Sequence, residues 1–427
     1  MDKRIESQKM VVDLYLKHST ISCTLVLSTG YGKSKIAIDI LKKLKPKKIL
    51  ILVNSIVLRD FNWILEFKKF KALRLLKRTE LVTYQTAYKW TKKEKDLSDY
   101  FIIADEVDFA ADTIQLSKFF YEYKTNTILG LTGFISKDKQ VWFQNNLPIL
   151  TEISAAKAQE LNILNKIHFV FIKYDLDSNN KTHTVTYLSN GEEKSFQQTE
   201  NSAYNYLQQK ITKLLIEKKS IELDFEMGVL TYTEKYNLLN INKSRLQTLN
   251  SDRAKLLCSL KSSRILVGKL IHYLQSQHPD NKILIFSKRT AQSNAICGEN
   301  NIYNETIPNI KANSNFKNFQ VGTIKYLGVC NKVNRGVNIP NLNMAILESF
   351  FSSDTEATQR LGRLMRLNHD EQAYVYVLLP YFMKQESDST FSVQETQQVN
   401  WARKMLRSTK ISSSEVWDYR VVKTNKK

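Results

Sequence analysis

Short apolar runs recur through the first third of the chain, each separated from the next by a polar stretch of helical periodicity. They read CTLVLS, KKILILVNS, ELVTYQT, YFIIADE and NTILGLTG, and begin at residues 23, 47, 80, 100 and 126. Runs this short, rich in β-branched residues and apolar on both faces, predict strands buried on both sides, hence a parallel sheet with helices over each face. After the first run, Ile36, Ala37, Ile40, Leu41 and Leu44 recur at helical spacing and make one apolar face to pack on that sheet.

A second series, NKILIFSK, FQVGTIKYL, NMAILES and AYVYVLLP, starts at residue 281 and predicts a second domain of the same α/β kind. Between the two series, KIHFVFIKYDL reads as an extended segment, and THTVTYLSNGEEKSF reads as a hairpin turning at Asn190–Gly191. Residues from about 200 to 277 predict charged helices whose Leu, Tyr and Ile positions are core stripes. The expected organisation is a first domain at 1–155, a second at 156–395 carrying a hairpin and helical insertion at about 178–280, and a basic tail at 396–427 with one helical piece near QQVNWARKML.

Composition narrows the class without deciding it. With 12 Gly and 6 Pro in 427 residues, and 42% hydrophobic residues, the chain is globular rather than linker-rich or repetitive. Cys23, Cys258, Cys297 and Cys330 have no CxxC spacing and pair with no histidine in a ligand pattern, so neither a zinc site nor a disulfide framework is expected. The first residues, MDKRIESQKM, carry no apolar signal segment, and no run reaches the ~18 apolar residues of a membrane span. A reducing, cytoplasmic setting is the expectation. The net charge of +21, from 63 Lys and Arg against 42 Asp and Glu, fits a nucleic-acid binder; biased base composition is the competing source of a lysine-rich chain.

Two stretches bear chemistry. In LSTGYGKS, Leu27 to Ser34, Gly30 and Gly32 allow the backbone to curl its N–H groups around a polyphosphate at a helix N-terminus. Lys33 would then reach the β- and γ-phosphates and Ser34 would hold Mg²⁺; a plain strand-to-helix turn is the alternative reading of the same glycines. In FIIADEVDFA, Asp105 and Glu106 end an apolar strand, the edge at which α/β sheets bind ligands. One carboxylate there can hold a metal while its neighbour orients or deprotonates water.

The order of these stretches is specific. STGYGKS, ADEVD, LTG at Leu131 to Gly133 and QRLGRLMR at Gln359 to Arg366 resemble motifs I, II, III and VI of the superfamily 2 helicases, in that family's order. VNSIVLRDF, VTYQT, ILIFSKR and GTIKYLGVCNKVNRGVNIP resemble motifs Ia, Ib, IV and V, and RIESQKMVVDLYL resembles the RxxQ element ahead of motif I. Ser28, Phe134 and Asn338 depart from the residues most frequent at their positions.

The resemblance implies two tandem RecA-like parallel-sheet domains with an ATP site in the cleft between them. It implies that Ser28, Thr29, Gly30, Tyr31, Gly32, Lys33 and Ser34, with Gly336, hold ATP, that Gln8 reads adenine, and that Ser34 and Asp105 hold Mg²⁺. Glu106 would serve the attacking water, while Gln359, Arg363 and Arg366 reach in from the second domain. Asp108 and Thr132 would couple the site to movement, and Asn54, Arg59, Thr83, Thr86, Ser287, Arg289 and Thr323 would contact the nucleic-acid backbone. Within the superfamily the chain looks like the branch of phage recombination helicases, XPB-like repair helicases and type III restriction motors. The expectation is therefore a phage or virus motor in a host cytoplasm, acting on branched or duplex DNA in replication, recombination or repair. An RNA helicase and a nucleic-acid scaffold with a degenerate ATPase are the alternatives.

Overall fold

A computed structural model describes residues 3–18, 21–54, 58–164, 167–189, 192–330, 342–349, 372–385, 390–407 and 413–420. Strands β1 (Cys23–Leu27), β2 (Lys48–Val53), β3 (Thr79–Thr83), β4 (Tyr100–Asp105), β5 (Ile128–Thr132) and β6 (Ile149–Ile153) form one parallel sheet. Their order is β3-β2-β4-β5-β1-β6. Strand periodicity divides the apolar runs between the two faces. Leu25, Ile49, Ile51 and Ile103 pack on one side with Ile36, Ile40 and Leu41 of the helix Lys33–Leu44, and Val26, Leu50, Leu52 and Ile102 pack on the other with Phe119 and Phe143. The sixth strand, ILTEI, is a half-exposed edge and lacks the apolar run that marks the rest.

The second domain contributes β7 (Ile167–Asp175), β8 (Lys181–Ser189), β9 (Glu192–Thr199), β10 (Lys282–Phe286), β11 (Ile302–Tyr303), β12 (Tyr326–Val329), β13 (Leu342–Leu347), β14 (Ala373–Gln385), β15 (Phe391–Glu395) and β16 (Ser413–Asp418). Its sheet runs β11-β12-β10-β13-β14-β7-β16, parallel throughout, with β15 antiparallel on the far end of β14. The chain therefore consists of two parallel-sheet α/β domains. The apolar cluster of the first also takes in Ala158 and Leu164 of the connection and Leu284 and Phe286 of β10, so packing is continuous from one domain to the next.

Four sequence expectations change. The extended segment expected between the two series is β7, a strand inside the second sheet, where the alternate residues Val170, Ile172 and Tyr174 are buried. In FQVGTIKYL the first three residues close the helix Asn309–Val321, Gly322 caps it at φ 88°, and the strand begins only at Tyr326. The segment expected as a tail keeps its expected helical piece, as the helix Gln397–Arg407 with buried Val399 and Ala402, but adds the edge strand β16 paired with β7. Pairing satisfies backbone groups that a free tail would leave to water.

The insertion shows the fourth change. β8 and β9 pair as the expected hairpin, whose turn at Asn190–Gly191 lies outside the described residues. The long helices Glu200–Glu226 and Tyr232–Leu257 follow, joined through Gly228 at φ 75°, with a Thr231–Glu234 capping box. Two helices in a hairpin can bury only the stripe each turns to the other. Ala203, Tyr204, Ile211, Ile221, Leu256 and Leu257 are buried, whereas Ile216, Leu223, Tyr232, Tyr236 and Ile241 are exposed, so the expected core stripes are covered only in part. Among the described residues no helix is long and apolar enough to cross a membrane.

Candidate nucleotide site and nucleic-acid face

Because every strand of the first sheet is parallel, the chemistry-bearing residues end up along one edge. β1 runs into the glycine loop, β2 into Asn54, β3 ends at Thr83, β4 at Asp105 and β5 at Thr132. β5 lies between β1 and β4, which sets the third box between the glycine loop and the acidic pair.

The loop has the conformation that a phosphate cradle needs. Gly30 and Gly32 sit at φ 93° and 107°, a region open to glycine at little cost, and Gly32 begins the helix Lys33–Leu44 with no side-chain cap. Uncapped first-turn N–H groups are the donors from which helix termini build anion sites. The loop is braced from outside. Gln8 donates Nε2–H to the Tyr31 carbonyl at 2.7 Å, Arg4 donates to the Gly30 carbonyl, and Ser7 bonds the buried Tyr31 hydroxyl. A Cβ on Gly32 would stand 2.3 Å from Gln8 Nε2 and displace that brace, while the φ of 107° is what calls for glycine. Gln8, the expected adenine reader, is buried and gives one amide N–H to this brace.

Lys33 Nζ lies 3.3 Å from Glu106 Oε1 with its side chain 11% exposed, yet it is buried without a hydrogen-bonded acceptor among the described residues. The ion pair is close but misaligned for a hydrogen bond, and a buried ammonium asks for a further anion. The floor beside it is bare: a Cβ on Gly133 would stand 3.1 Å from Thr29 Oγ1 and 3.2 Å from Lys33 Nζ. Ser28 Oγ is likewise buried without a partner there, while Ser34 is half-buried in the first turn. A buried lysine ion-paired but without a hydrogen-bonded acceptor among the described residues, an uncapped helix N-terminus and a bare floor fit a nucleotide polyphosphate.

The acidic pair fits its metal. Asp105 accepts from Trp63 Nε1 at 3.0 Å, and its main-chain carbonyl accepts from the Tyr84 hydroxyl at 2.9 Å. Burial, then the charge of Glu106, pushes the Asp105 carboxyl well above the ordinary carboxylate range, against the pull of Lys33. A hard divalent cation with oxygen ligands suits such a group. Glu106 holds a left-handed backbone, φ 51° and ψ 52°, unusual for a residue with a Cβ and concentrated at functional sites. Beyond it, Thr132 donates to Asp108 Oδ1 at 2.7 Å in a buried bond joining the second and third boxes. Lys139 ties down the same turn, donating to the Asp108 carbonyl at 2.9 Å and pairing with Asp112 at 2.5 Å.

The expected strand-contact residues share this edge. Both amide atoms of Asn54 are buried without a partner among the described residues. Arg59 pairs with Asp60 on the turn Leu58–Asn62, and Thr83 caps the helix Tyr84–Thr91 by accepting from Thr86 N at 3.3 Å. In the second sheet, buried Ser287 follows β10 and exposed Arg289 opens the helix Thr290–Cys297. Thr323 does not join them. β12 starts three residues after it, parallel to β10, so Thr323 stands at the opposite edge of the sheet from Ser287. Gly336, Gln359, Arg363 and Arg366 lie outside the described residues.

Sequence reasoning missed Trp63 and Tyr84, whose bonds to Asp105 span 42 and 21 positions and leave no periodic trace. It also missed Glu348 after β13. This buried carboxylate accepts from Ser263 Oγ at 2.6 Å, Ser349 Oγ at 2.5 Å and Gln292 Nε2 at 3.1 Å, tying the base of the insertion to the second sheet. Burial pushes its carboxyl above the usual range, so the folded protein holds that proton more tightly than the unfolded chain does. Its contribution to stability therefore falls as pH rises from the ordinary glutamate value through the raised one. Glu348→Gln, which removes the charge, should gain stability relative to wild type as pH rises above the ordinary glutamate range. Thermal midpoints across that rise measure the gap; a gap constant with pH would refute the assignment.

This two-domain fold is similar to the folds of solved helicase domains. Residues 265–368 match the family model of the helicase conserved C-terminal domain. The crystal structure of the Pyrococcus furiosus Hef helicase domain resembles the chain with a TM-score of 0.50 at 15% identity, over 88% of this chain and 94% of that one. S. cerevisiae Dbp5 bound to RNA and ADP BeF3 resembles it with a TM-score of 0.58 at 11% identity, over 96% of this chain and 89% of that one. No curated protein matches by sequence.

Proposed function

We propose that this protein is an ATP-dependent motor that tracks along nucleic acid, with branched or duplex DNA as its substrate. The observation that carries the reading is Lys33: a buried ammonium with no hydrogen-bonded acceptor among the described residues, set at an uncapped helix N-terminus opposite Glu106. The loop amides of residues 28–34 and Lys33 would hold the polyphosphate, and Ser34 with Asp105 would hold Mg²⁺. When bound, Mg²⁺-ATP supplies a transferable γ-phosphoryl group. Glu106 orients a water and takes up its proton, and Lys33 neutralises charge that builds on the phosphoryl oxygens.

Arg363 and Arg366, with Gln359 and Gly336, are proposed to complete the site from the second domain, so that neither domain is competent alone. Asn54, Arg59, Thr83, Thr86, Ser287 and Arg289 would hold a strand by its phosphates. Hydroxyls and guanidinium groups there position a backbone without reading bases. The excess of 63 basic over 42 acidic residues supports such binding. The motif resemblance to recombination and repair helicases supports DNA, with a role in replication, recombination or repair and a phage or virus source. RNA is the second reading, favoured by the RNA in the Dbp5 complex that the fold resembles.

ATP turnover at fixed salt on a DNA fork, plain duplex, single-stranded DNA and duplex RNA tests both. The fork is expected to stimulate most, and binding should weaken steeply with salt while varying little with sequence. Equal or greater stimulation by RNA selects the second reading. Turnover indifferent to every nucleic acid overturns the motor.

A further inference from the structure

Two segments assigned above to the nucleic-acid backbone each send a hydrogen-bond donor into the acidic pair. In the first, Arg59 lies on the turn Leu58–Asn62, whose backbone is wound as a π-helix, a form that recurs at functional sites. That turn passes directly into the helix Trp63–Lys69. Trp63 is 2% exposed and donates its indole N–H to Asp105 Oδ2 at 3.0 Å. In the second, Thr83 ends β3 and caps the helix Tyr84–Thr91. Tyr84 is 1% exposed and donates its hydroxyl to the Asp105 carbonyl at 2.9 Å.

Side chain and main chain of one aspartate are thus held by aromatic donors from two different strand-contact segments. Each aromatic is packed against a neighbouring ring. Trp63 packs on Phe67 at 5.9 Å between ring centres, and Tyr84 packs on Phe109 at 6.0 Å, the residue after Asp108. Only four positions separate Arg59 from Trp63, and a single peptide bond separates Thr83 from Tyr84. A displacement of either backbone contact is therefore delivered to Asp105 through rigid, buried levers.

We propose that Trp63 and Tyr84 are positioning residues that make ATP turnover depend on bound nucleic acid. A strand gripped at Arg59, Thr83 and Thr86 sets the orientation of Asp105, and with it the affinity and placement of the metal ion that Asp105 holds. The proposal rests on the helicase reading. It assigns the strand dependence to two hydrogen bonds, and small misplacements of catalytic groups are enough to carry it, since ~1 Å can cost ~10²-fold in rate.

Trp63→Phe and Tyr84→Phe each remove one donor; the tyrosine variant keeps the same ring, and the tryptophan variant keeps a smaller aromatic one. Three quantities are measured in both variants and in wild type: the affinity for a fluorescein-labelled DNA strand, the ratio of strand-stimulated to basal ATP turnover, and the Mg²⁺ concentration for half-maximal binding of a fluorescent ATP analogue with and without strand. In wild type, strand should lower that Mg²⁺ concentration. In the variants strand affinity is kept, the stimulation ratio falls by ~10-fold or more, and the strand-induced shift in Mg²⁺ requirement shrinks. Tyr84→Phe, lacking only a hydroxyl, guards against a folding defect in Trp63→Phe. Wild-type ratios and shifts in both variants overturn the proposal, as does strand affinity falling in step with the ratio. A wild-type protein that binds no strand overturns the helicase reading instead.

Discussion

Lys33→Ala is expected to lower ATP turnover by ~10²- to 10³-fold or more, the scale on which a single preorganised charge donor acts in a water-poor site. The loss should fall on nucleotide handling and leave the fold intact. Lys33 makes one ion pair, with Glu106 at 3.3 Å, and no hydrogen bond among the described residues, so its removal deletes little that stabilises the protein. It does free a carboxylate to repel the incoming polyphosphate. Binding of a fluorescent ATP analogue should therefore weaken along with turnover, while the thermal midpoint stays near that of wild type. Substantial hydrolysis by the variant would remove the phosphate cradle from this loop.

Glu106→Gln separates the two halves of the site. The amide is close in shape to the carboxylate and can keep the left-handed backbone at φ 51°, but it cannot accept a proton from water. Turnover should fall on the order of 10²- to 10⁴-fold, the usual contribution of a positioned general base. Nucleotide binding should persist or tighten, because Lys33 and the helix N-terminus remain and one negative charge has gone. Rapid quench with radiolabelled ATP distinguishes a slow chemical step from slow release. If nucleotide binding disappears together with turnover, Glu106 serves the fold of the turn and not the reaction.

The two substitutions act on residues that the amino-acid sequence displays openly, and the reason is local. A glycine-rich turn must be contiguous to wrap a phosphate, and a strand-end acidic pair must follow an apolar run, so each box is written in a few neighbouring positions. The contacts that orient those boxes are not contiguous. Trp63, Tyr84, Arg4 and Ser7 each reach across 21 to 42 positions, and no local spacing says which partner each one meets.

Periodicity by itself determined the strands β1 to β5, β10, β13 and β14 and the helix Lys33–Leu44, because buried strands and amphipathic helices must repeat their apolar residues at fixed spacing. It determined two α/β domains, the placement of Gly30, Gly32 and Lys33 in a strand-to-helix loop, and the placement of Asp105 and Glu106 at a strand end. Only the tertiary structure decided where edge elements go. β6 and β16 are sheet-edge strands with polar or half-exposed faces, and their place is set by backbone pairing, which leaves no hydrophobic signature. The same holds for Thr323, whose side of the sheet depends on where β12 begins, and that start is fixed by the helix Asn309–Val321 and its Gly322 cap rather than by the apolar run around it. Exposure along the helical insertion was likewise a tertiary decision: helical spacing says which residues share a face, while only the neighbouring elements say whether that face is covered.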